Sequence, residues 1–485
     1  MKPSLVFIHT DSWDGRLLGC LGHPALKGAT PNLDALASGG TLFRQACSNN
    51  PICVPSRSST WSGQYTHHCE GWNNYKGLEP GTPTFLDQFT KGGFRTKVLG
   101  KTDYLSGKHT IRARVSPWTR SANLLRPNYR MEAPELIEDR SPRTMAKDWA
   151  DVDAACRWLA EEAPRGRDPF FLYLGIRAPH PPFLTSRHWL DRIPEDAVDV
   201  PPADENPHPS LAYQRVNKNW QHGFSDDQVR FVRRIYFAMI AEVDAMVGEV
   251  LRALRAALPK APVHVVFSSD HGEMAMEHRQ FYKCSLYEPS VRVPLILQGP
   301  GVRAGATVDR PASLVDLYPT FMDMAGLPCP AGLDGHSLLP EARGEPSKRP
   351  DWAFAECHDS SCNTGFFMLR RDGWKYLVYA GSPPQLFRPD EDRWEIRDLA
   401  PSRPDKVAEM DRLLRSIVDY EEVDRRAKAH DRAAFRKWRD EQRAAGTYAE
   451  NMSRVFSGWD RLPDAEVQPW TADDERAIEA WLGAA

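Results

Sequence analysis

Short apolar runs alternate with amphipathic stretches along most of the chain. Leu5-Val6-Phe7-Ile8 predicts a buried strand, with Asp11 just beyond its carboxyl end. Thr30 to Ala37 predicts a capped helix with Pro31 at an early position. Ser56 to Ser62 predicts a helix that starts just after Cys53, and Arg95 to Gly100 a strand with Lys101 at its end. Asp148 to Glu162 has helical periodicity. Phe170 to Gly175 is a continuous apolar strand that runs into Ala178-Pro179-His180-Pro181-Pro182. Asp226 to Ala257 predicts a long amphipathic helix, and Val263 to Phe267 a strand leading to Ser268-Ser269-Asp270-His271-Gly272. Pro294 to Leu297 predicts a further strand and Leu314 to Met324 a helix.

This alternation predicts an α/β fold with a mostly parallel sheet covered by helices on both faces. In such sheets, sites form beyond the carboxyl ends of the strands. Asp11, Lys101, His180 and Asp270 each follow a predicted strand and are therefore expected to converge. The pattern changes near residue 345. Gly365 to Tyr379 reads as two short strands around Arg371-Asp372-Gly373, a hairpin signal. Residues 404 to 444 read as charged helix, and 463 to 483 end in a short amphipathic helix. The expected division is a catalytic domain over 1–345 and a smaller C-terminal α+β subdomain over 346–485. The Pro-rich stretch 184–224 reads as an irregular active-site loop.

Composition adds mainly exclusions. The 485 residues are 41% hydrophobic with a formal net charge of −3. That leaves no basic field for nucleic acid, and no run is apolar enough to span a membrane. Met1-Lys2-Pro3 leads straight into the first strand, too short a lead for a signal-peptide core. A cytoplasmic location is expected, and a lysosomal or periplasmic one only if a leader has been removed. The 9 cysteines are scattered and form no disulfide framework, so Cys357 and Cys362 read as unbridged. His67-His68-Cys69-Glu70 reads as structural, because adjacent side chains diverge on regular elements.

The chemistry centres on Cys53-Val54-Pro55-Ser56-Arg57. A Cys two residues before Pro and four before Arg is the recognition pattern for conversion of Cys to formylglycine. On this segment the chain resembles the type I sulfatases. Without further support, a Cys before a helix is simply a small buried residue. The helix N-terminus favours a developing anion, and Arg57 lies one turn along. Asp11 and Asp270 offer hard carboxylates suited to calcium or magnesium, and His271 a nitrogen that makes manganese plausible.

The resemblance implies an alkaline-phosphatase-like sheet and a formylglycine at Cys53, made by a formylglycine-generating maturation enzyme. Its hydrate is then the nucleophile and passes through a covalent sulfate ester. One divalent metal, calcium first, with magnesium or manganese as alternatives, is assigned to Asp11, Asp270, His271 and the modified Cys53. Lys101 and Lys283 are assigned to the sulfate. His180 is the first candidate for general acid, and His208 is the second, or a further sulfate ligand. The usual second acid after the first strand is replaced here by Ser12, and the usual Asn after the downstream Asp by His271.

Longer segments narrow the resemblance: Ser12 to Leu17, Trp72 to Leu78, Gly100 to Tyr104 and Met274 to Lys283. They are similar to a subgroup of glycosaminoglycan exo-sulfatases that act on 2-sulfated glucuronate. This implies a sulfated saccharide substrate, with Arg279 and His278 as candidates for the uronate carboxylate. Trp72 and Asn73 are candidates for the sugar pocket, with core packing at least as good a reading of Trp72. Two other readings remain: a phosphonate monoester or phosphodiester hydrolase of the same superfamily, and a non-catalytic saccharide-binding protein.

Overall fold

Strand β1 (Ser4–Asp11) sends its side chains alternately into two cores. Val6 and Ile8 join α1 (Pro31–Ser38), α3 (Ala146–Glu161) and α4 (Asp226–Ala257) on one face. Leu5 and Phe7 join Phe85, Phe89 and α5 (Leu317–Ala325) on the other. Burial on both faces is why such strands read as unbroken apolar runs. The computed structural model describes residues 2–107, 111–124, 134–166, 168–204, 207–218, 220, 223–456 and 470–483.

The other strands of this sheet are β2 (Thr41–Phe43), β3 (Arg95–Gly100), β4 (Phe170–Pro179), β5 (Val263–Ser269), β6 (Leu295–Gln298) and β7 (Ala306–Val308). Their order is β7-β2-β6-β5-β1-β4-β3. β6 runs antiparallel to β5 and β2, and the other neighbours are parallel. Helix α2 (Cys53–Ser62) starts on Cys53 itself rather than after it. Asp11 is the last residue of β1 rather than the first beyond it. α4 spans the predicted residues because its first turn is closed by a capping box. Gln228 N–H donates to Ser225 Oγ, and Ser225 N–H to Gln228 Oε1.

The stretch 184–224 is more ordered than its prolines suggest. Leu184–Ser186 pairs in parallel with Glu135–Ile137, and Pro209–Asn217 is helical. Residues 205, 206, 219, 221 and 222 of that stretch, and 463–469 of the predicted tail, lie outside the described residues. Among the described residues, no helix is long and apolar enough to cross a membrane.

The C-terminal part is an antiparallel meander of β8 (Trp352–Cys357), β9 (Phe366–Arg371), β10 (Trp374–Tyr379) and β11 (Ser382–Phe387). The β9–β10 turn needs positive φ at Asp372 (50°) and Gly373 (74°), the pattern of a tight hairpin. One face packs on Met410 and Leu414 of α6 (Pro404–Ile417). The other shares a core with Cys47, Ile52, Met274 and Leu286. Further along, Phe435 and Trp438 of α7 (Tyr420–Ala444) and Trp481 of α8 (Ala472–Gly483) close over Val115 and Trp118. The thiols of Cys357 and Cys362 lie 3.3 Å apart as free, buried groups.

Buried charge fastens the two parts together. Glu288 accepts from Arg370 and lies 3.2 Å from Lys375 Nζ, which is 2.9 Å from Glu395. Burial opposes ionisation of Glu288, but Arg370 and Lys375 hold its carboxyl well below the usual range. Glu288→Gln should leave the buried Arg370 without its carboxylate, with Lys375 keeping only Glu395, and lower unfolding free energy by about 3–5 kcal/mol, measurable by urea titration.

His264 on β5 makes a pH prediction. Burial, then Arg343, lowers its pKa from 6.5 to about 4. The unfolded chain therefore binds more protons in that window. Stability present above pH 6.5 should fall by roughly 3 kcal/mol on acidification towards pH 4. Urea midpoints for His264→Leu at pH 7 and pH 5 should lack this component.

Candidate active site

The site forms where the parallel strands end. Asp11 closes β1, Lys101 follows β3, His180 follows β4, and Asp270 and His271 follow β5. Cys53 opens α2, whose first turn faces these ends. A close backbone crossing sets Lys101 in place: its N–H donates to Gly175 O at 2.8 Å. A Cβ on Gly175 would run into Lys101 O, and one on Gly100 (φ 74°) into Gly175 O.

Asp11, Cys53, Asp270 and His271 are all buried, each with a donor atom within 4.8 Å of the others. Cys53 Sγ lies 3.2 Å from His271 Nε2 and 3.8 Å from Asp11 Oδ1. His271 Nδ1 is 2.9 Å from Gly272 O, and a carbonyl can only accept, so Nδ1 carries the proton. Nε2 therefore points into the cluster, the orientation in which a deprotonated imidazole nitrogen can bind a metal. Two carboxylates and this nitrogen fit a divalent cation.

Electrostatics separate the two acids. Burial opposes ionisation of Asp11, yet Lys101 and then His180 hold it well below the carboxylate range. Burial wins at Asp270 and raises it despite Arg57. At Cys53, burial and Asp11 push the thiol up, but Lys101, Lys283 and His271 bring it well below its ordinary value.

Arg57 is buried one turn into α2. Its Nε donates to Asp270 Oδ2 at 2.8 Å, one Nη to Tyr173 Oη at 2.8 Å and Lys101 O at 3.1 Å, and the other to Thr10 O at 3.2 Å. Lys101 Nζ is paired with Asp11 and lies 3.3 Å from Asp103. Lys283 Nζ donates to His180 Nε2 at 2.6 Å, while His180 Nδ1–H donates to Pro181 O at 2.5 Å. His180 is thus fixed with its free lone pair towards the Lys283 ammonium.

Other predicted residues go elsewhere. His208 caps the 209–217 helix by accepting from Ser210 N–H, donates from Nε2 to Pro383 O at 2.9 Å and stacks on Tyr379. Both of its ring nitrogens are thus hydrogen-bonded to backbone groups. Of the two candidates for the carboxylate, Arg279 donates from one Nη to Asp226 at 2.8 Å and keeps the other unpartnered, and His278 is buried against Tyr287. Trp72 is core packing beside Phe354 and Val315, and Asn73 Oδ1 accepts the N–H groups of Tyr75 and Lys76 in a turn. His67 and His68 diverge, towards Glu356 and Asp334.

Sequence reading missed the residues that hold the acids. Ser12 (φ 67°) donates from Oγ to Asp11 at 3.1 Å and from N–H to Asp270 Oδ1 at 3.3 Å. Ser48 and Ser56 hydroxyls both donate to Asp270 O. Tyr173 passes the Arg57 contact on to Lys101 O at 2.9 Å. One signal was present: Tyr173 is the sole polar tip in Phe170-Phe171-Leu172-Tyr173-Leu174.

The family model described as Sulfatase matches residues 3–327, and that described as N-sulphoglucosamine sulphohydrolase, C-terminal, matches 276–421. The chain belongs to the formylglycine-dependent sulfatase family and is a sulfate-ester hydrolase. Within it the chain is closely related to arylsulfatase K. The Danio rerio protein is 39% identical over 506 residues, covering 99% of this chain and 94% of its own. The Homo sapiens protein is 38% identical over 507 residues, covering 99% and 92%. Among solved structures, the phosphonate monoester hydrolase of Agrobacterium radiobacter superposes with a TM-score of 0.71 at 24% identity, over 86% of this chain and 95% of its own. A 2-O GAG sulfatase gives 0.68 at 22%, over 88% and 94%. These likenesses show the alkaline-phosphatase-like fold.

Arg57→Lys keeps the charge but not the fork that meets four partners at once. It should cost about 2 kcal/mol or more in chemical denaturation, roughly two hydrogen bonds.

Proposed function

We propose that this chain removes the 2-O-sulfate from a terminal uronate, glucuronate first, of a glycosaminoglycan-type saccharide. Cys53 would be converted to formylglycine by a maturation enzyme. The observation that carries the reading is the convergence of Lys101, Lys283 and His180 on the Asp11–Cys53–Asp270–His271 cluster. It is supported by the 38% identity to human arylsulfatase K over 99% of this chain.

Asp11, Asp270, His271 and the modified Cys53 would hold one divalent cation, calcium first, with magnesium or manganese as alternatives. When bound, the metal supplies Lewis-acid stabilisation of charge on the reacting oxygens. Formylglycine supplies a hydrated aldehyde, with one hydroxyl to attack sulfur and a second whose deprotonation releases sulfate.

The chain's own side chains do the rest. Lys101, tethered to Asp11, and Lys283 present ammonium groups to the sulfate oxygens. Arg57 holds Asp270 so that its carboxylate stays aimed at the cluster. The α2 N-terminus favours negative charge beside Cys53. His180 shares the Lys283 proton at Nε2, so this pair supplies a proton to the departing alcohol oxygen.

The test uses protein produced with a formylglycine-generating enzyme. The mass of the Cys53 peptide should match the aldehyde, and activity should require it. The enzyme should hydrolyse a 2-O-sulfated glucuronate ahead of phosphodiesters and phosphonate monoesters. Lys283→Ala should lower kcat/KM by about a hundredfold or more. A peptide carrying only thiol under these conditions, or a preference for phosphodiesters, would reject the reading.

A further inference from the structure

Asn74 stands where the helix carrying Cys53 meets the 72–78 loop. Its Oδ1 accepts the backbone N–H of Val54 at 3.1 Å. That amide lies in the first turn of α2, where the helix itself offers no acceptor. Asn74 is in turn held by the C-terminal part, since its N–H donates to Asp359 Oδ2 at 2.9 Å. Asp359 is buried in the β8–β9 loop, and Cys362 N–H donates to its carbonyl at 2.8 Å. Arg120 closes the same loop by donating to Cys362 O at 3.0 Å.

This arrangement fixes the other half of the side chain. A planar amide with Oδ1 on Val54 must turn Nδ2 away from it. Among the described residues Nδ2 has no hydrogen-bond partner. Asn74 is partly exposed, whereas Cys53 and Val54 beside it are buried. A preset pair of N–H donors therefore lies beside the start of α2, with no partner among the described residues. Trp72 and Asn73 of the same loop are buried, the unpartnered Nδ2 of Asn73 included, which leaves Asn74 as the partly exposed one of these three side chains.

We propose that Asn74 is a specificity residue. Its Nδ2 donates to an oxygen acceptor, hydroxyl or carboxylate, on the sugar ring beside the sulfate-bearing carbon. Its Oδ1 meanwhile keeps the first turn of α2 in register. The inference rests on the saccharide-sulfate reading above.

The test measures kcat and KM for wild type, Asn74→Ala and Asn74→Asp on a 2-O-sulfated glucuronide and on 4-nitrophenyl sulfate, which offers no such oxygen. Asn74→Ala should lose about tenfold more kcat/KM on the saccharide than on the aryl ester, with the excess in KM. Asn74→Asp still accepts from Val54, so its melting temperature should return towards wild type while the saccharide defect remains. Equal losses on both substrates would reduce Asn74 to a cap and overturn the proposal. Wild-type turnover of the aryl ester without the glucuronide would instead reject the uronate reading, and the comparison then moves to whichever sugar sulfate is accepted. Rejection of every sugar sulfate by wild type would overturn both.

Discussion

Arg57 is a cation with no access to water, and such a group persists only where its charge and its donors are all met. Its partners are Asp270, Thr10 O, Lys101 O and Tyr173 Oη. Asp270, Thr10 and Lys101 stand at the ends of β5, β1 and β3, and Tyr173 lies within β4. One side chain on α2 therefore fixes where Cys53 stands against four strands of the sheet. The acids are fixed in the same way. Asp270 receives Arg57 on one oxygen and the N–H groups of Ser12 and His271 on the other. None of these groups can move without leaving buried charge unpaired, so the geometry of the pit is set before any ligand arrives.

Much of this frame was legible in the sequence because periodicity reports burial. The strands covered on both faces read as apolar runs, and α4 could be bounded by its capping residues. Convergence of Asp11, Lys101, His180 and Asp270 followed from parallel topology alone. What the sequence hid were side chains whose role depends on direction. His208 and Arg279 are as polar as His180 and Lys283, but His208 turns its Nε2 to Pro383 O and Arg279 one Nη to Asp226. Ser12 read as a missing acid, yet its left-handed backbone turns both its N–H and its hydroxyl onto the acids that remain. Neighbours in sequence also exchanged roles: Trp72 went to the core and Asn73 to a turn, while Asn74 reached the helix that Cys53 opens.

The change of texture near residue 345 marks a change of sheet but not a gap in packing. Residues of β8, β9 and β10 share a core with Cys47 and Ile52, just before Cys53. The Glu288, Arg370, Lys375 and Glu395 cluster fastens the same seam with charge that burial makes costly to separate. Asp359 then extends the contact to Asn74. The loop between β8 and β9 is thus linked through Asn74 to the first turn of α2.

The segment carrying Lys283 works by a different principle from the strand ends. Ala275, Met276, His278, Arg279, Tyr282 and Cys284 all have positive φ, between 40° and 72°, without being glycine. Each costs on the order of 1 kcal/mol, so the path survives only where its surroundings over-determine it. They do: Met274 N–H is bound to Tyr282 O and Met276 N–H to Gln280 O, both at 2.7 Å. Lys218 holds Lys283 O at 3.0 Å, and Gln214 and Cys362 both donate to Cys284 O. The strain is offset by contacts from the 209–217 helix, its neighbouring Lys218 and the C-terminal part, and the result is an ammonium held 2.6 Å from His180. The parallel strands that end in Asp11 and Asp270 can be common to sulfatases and phosphonate monoester hydrolases alike. A loop that depends on this many external supports cannot change alone. Shifting Lys283 requires refitting Gln214, Lys218 and Cys362 together, so this loop can change only through coordinated substitutions across three segments of the chain.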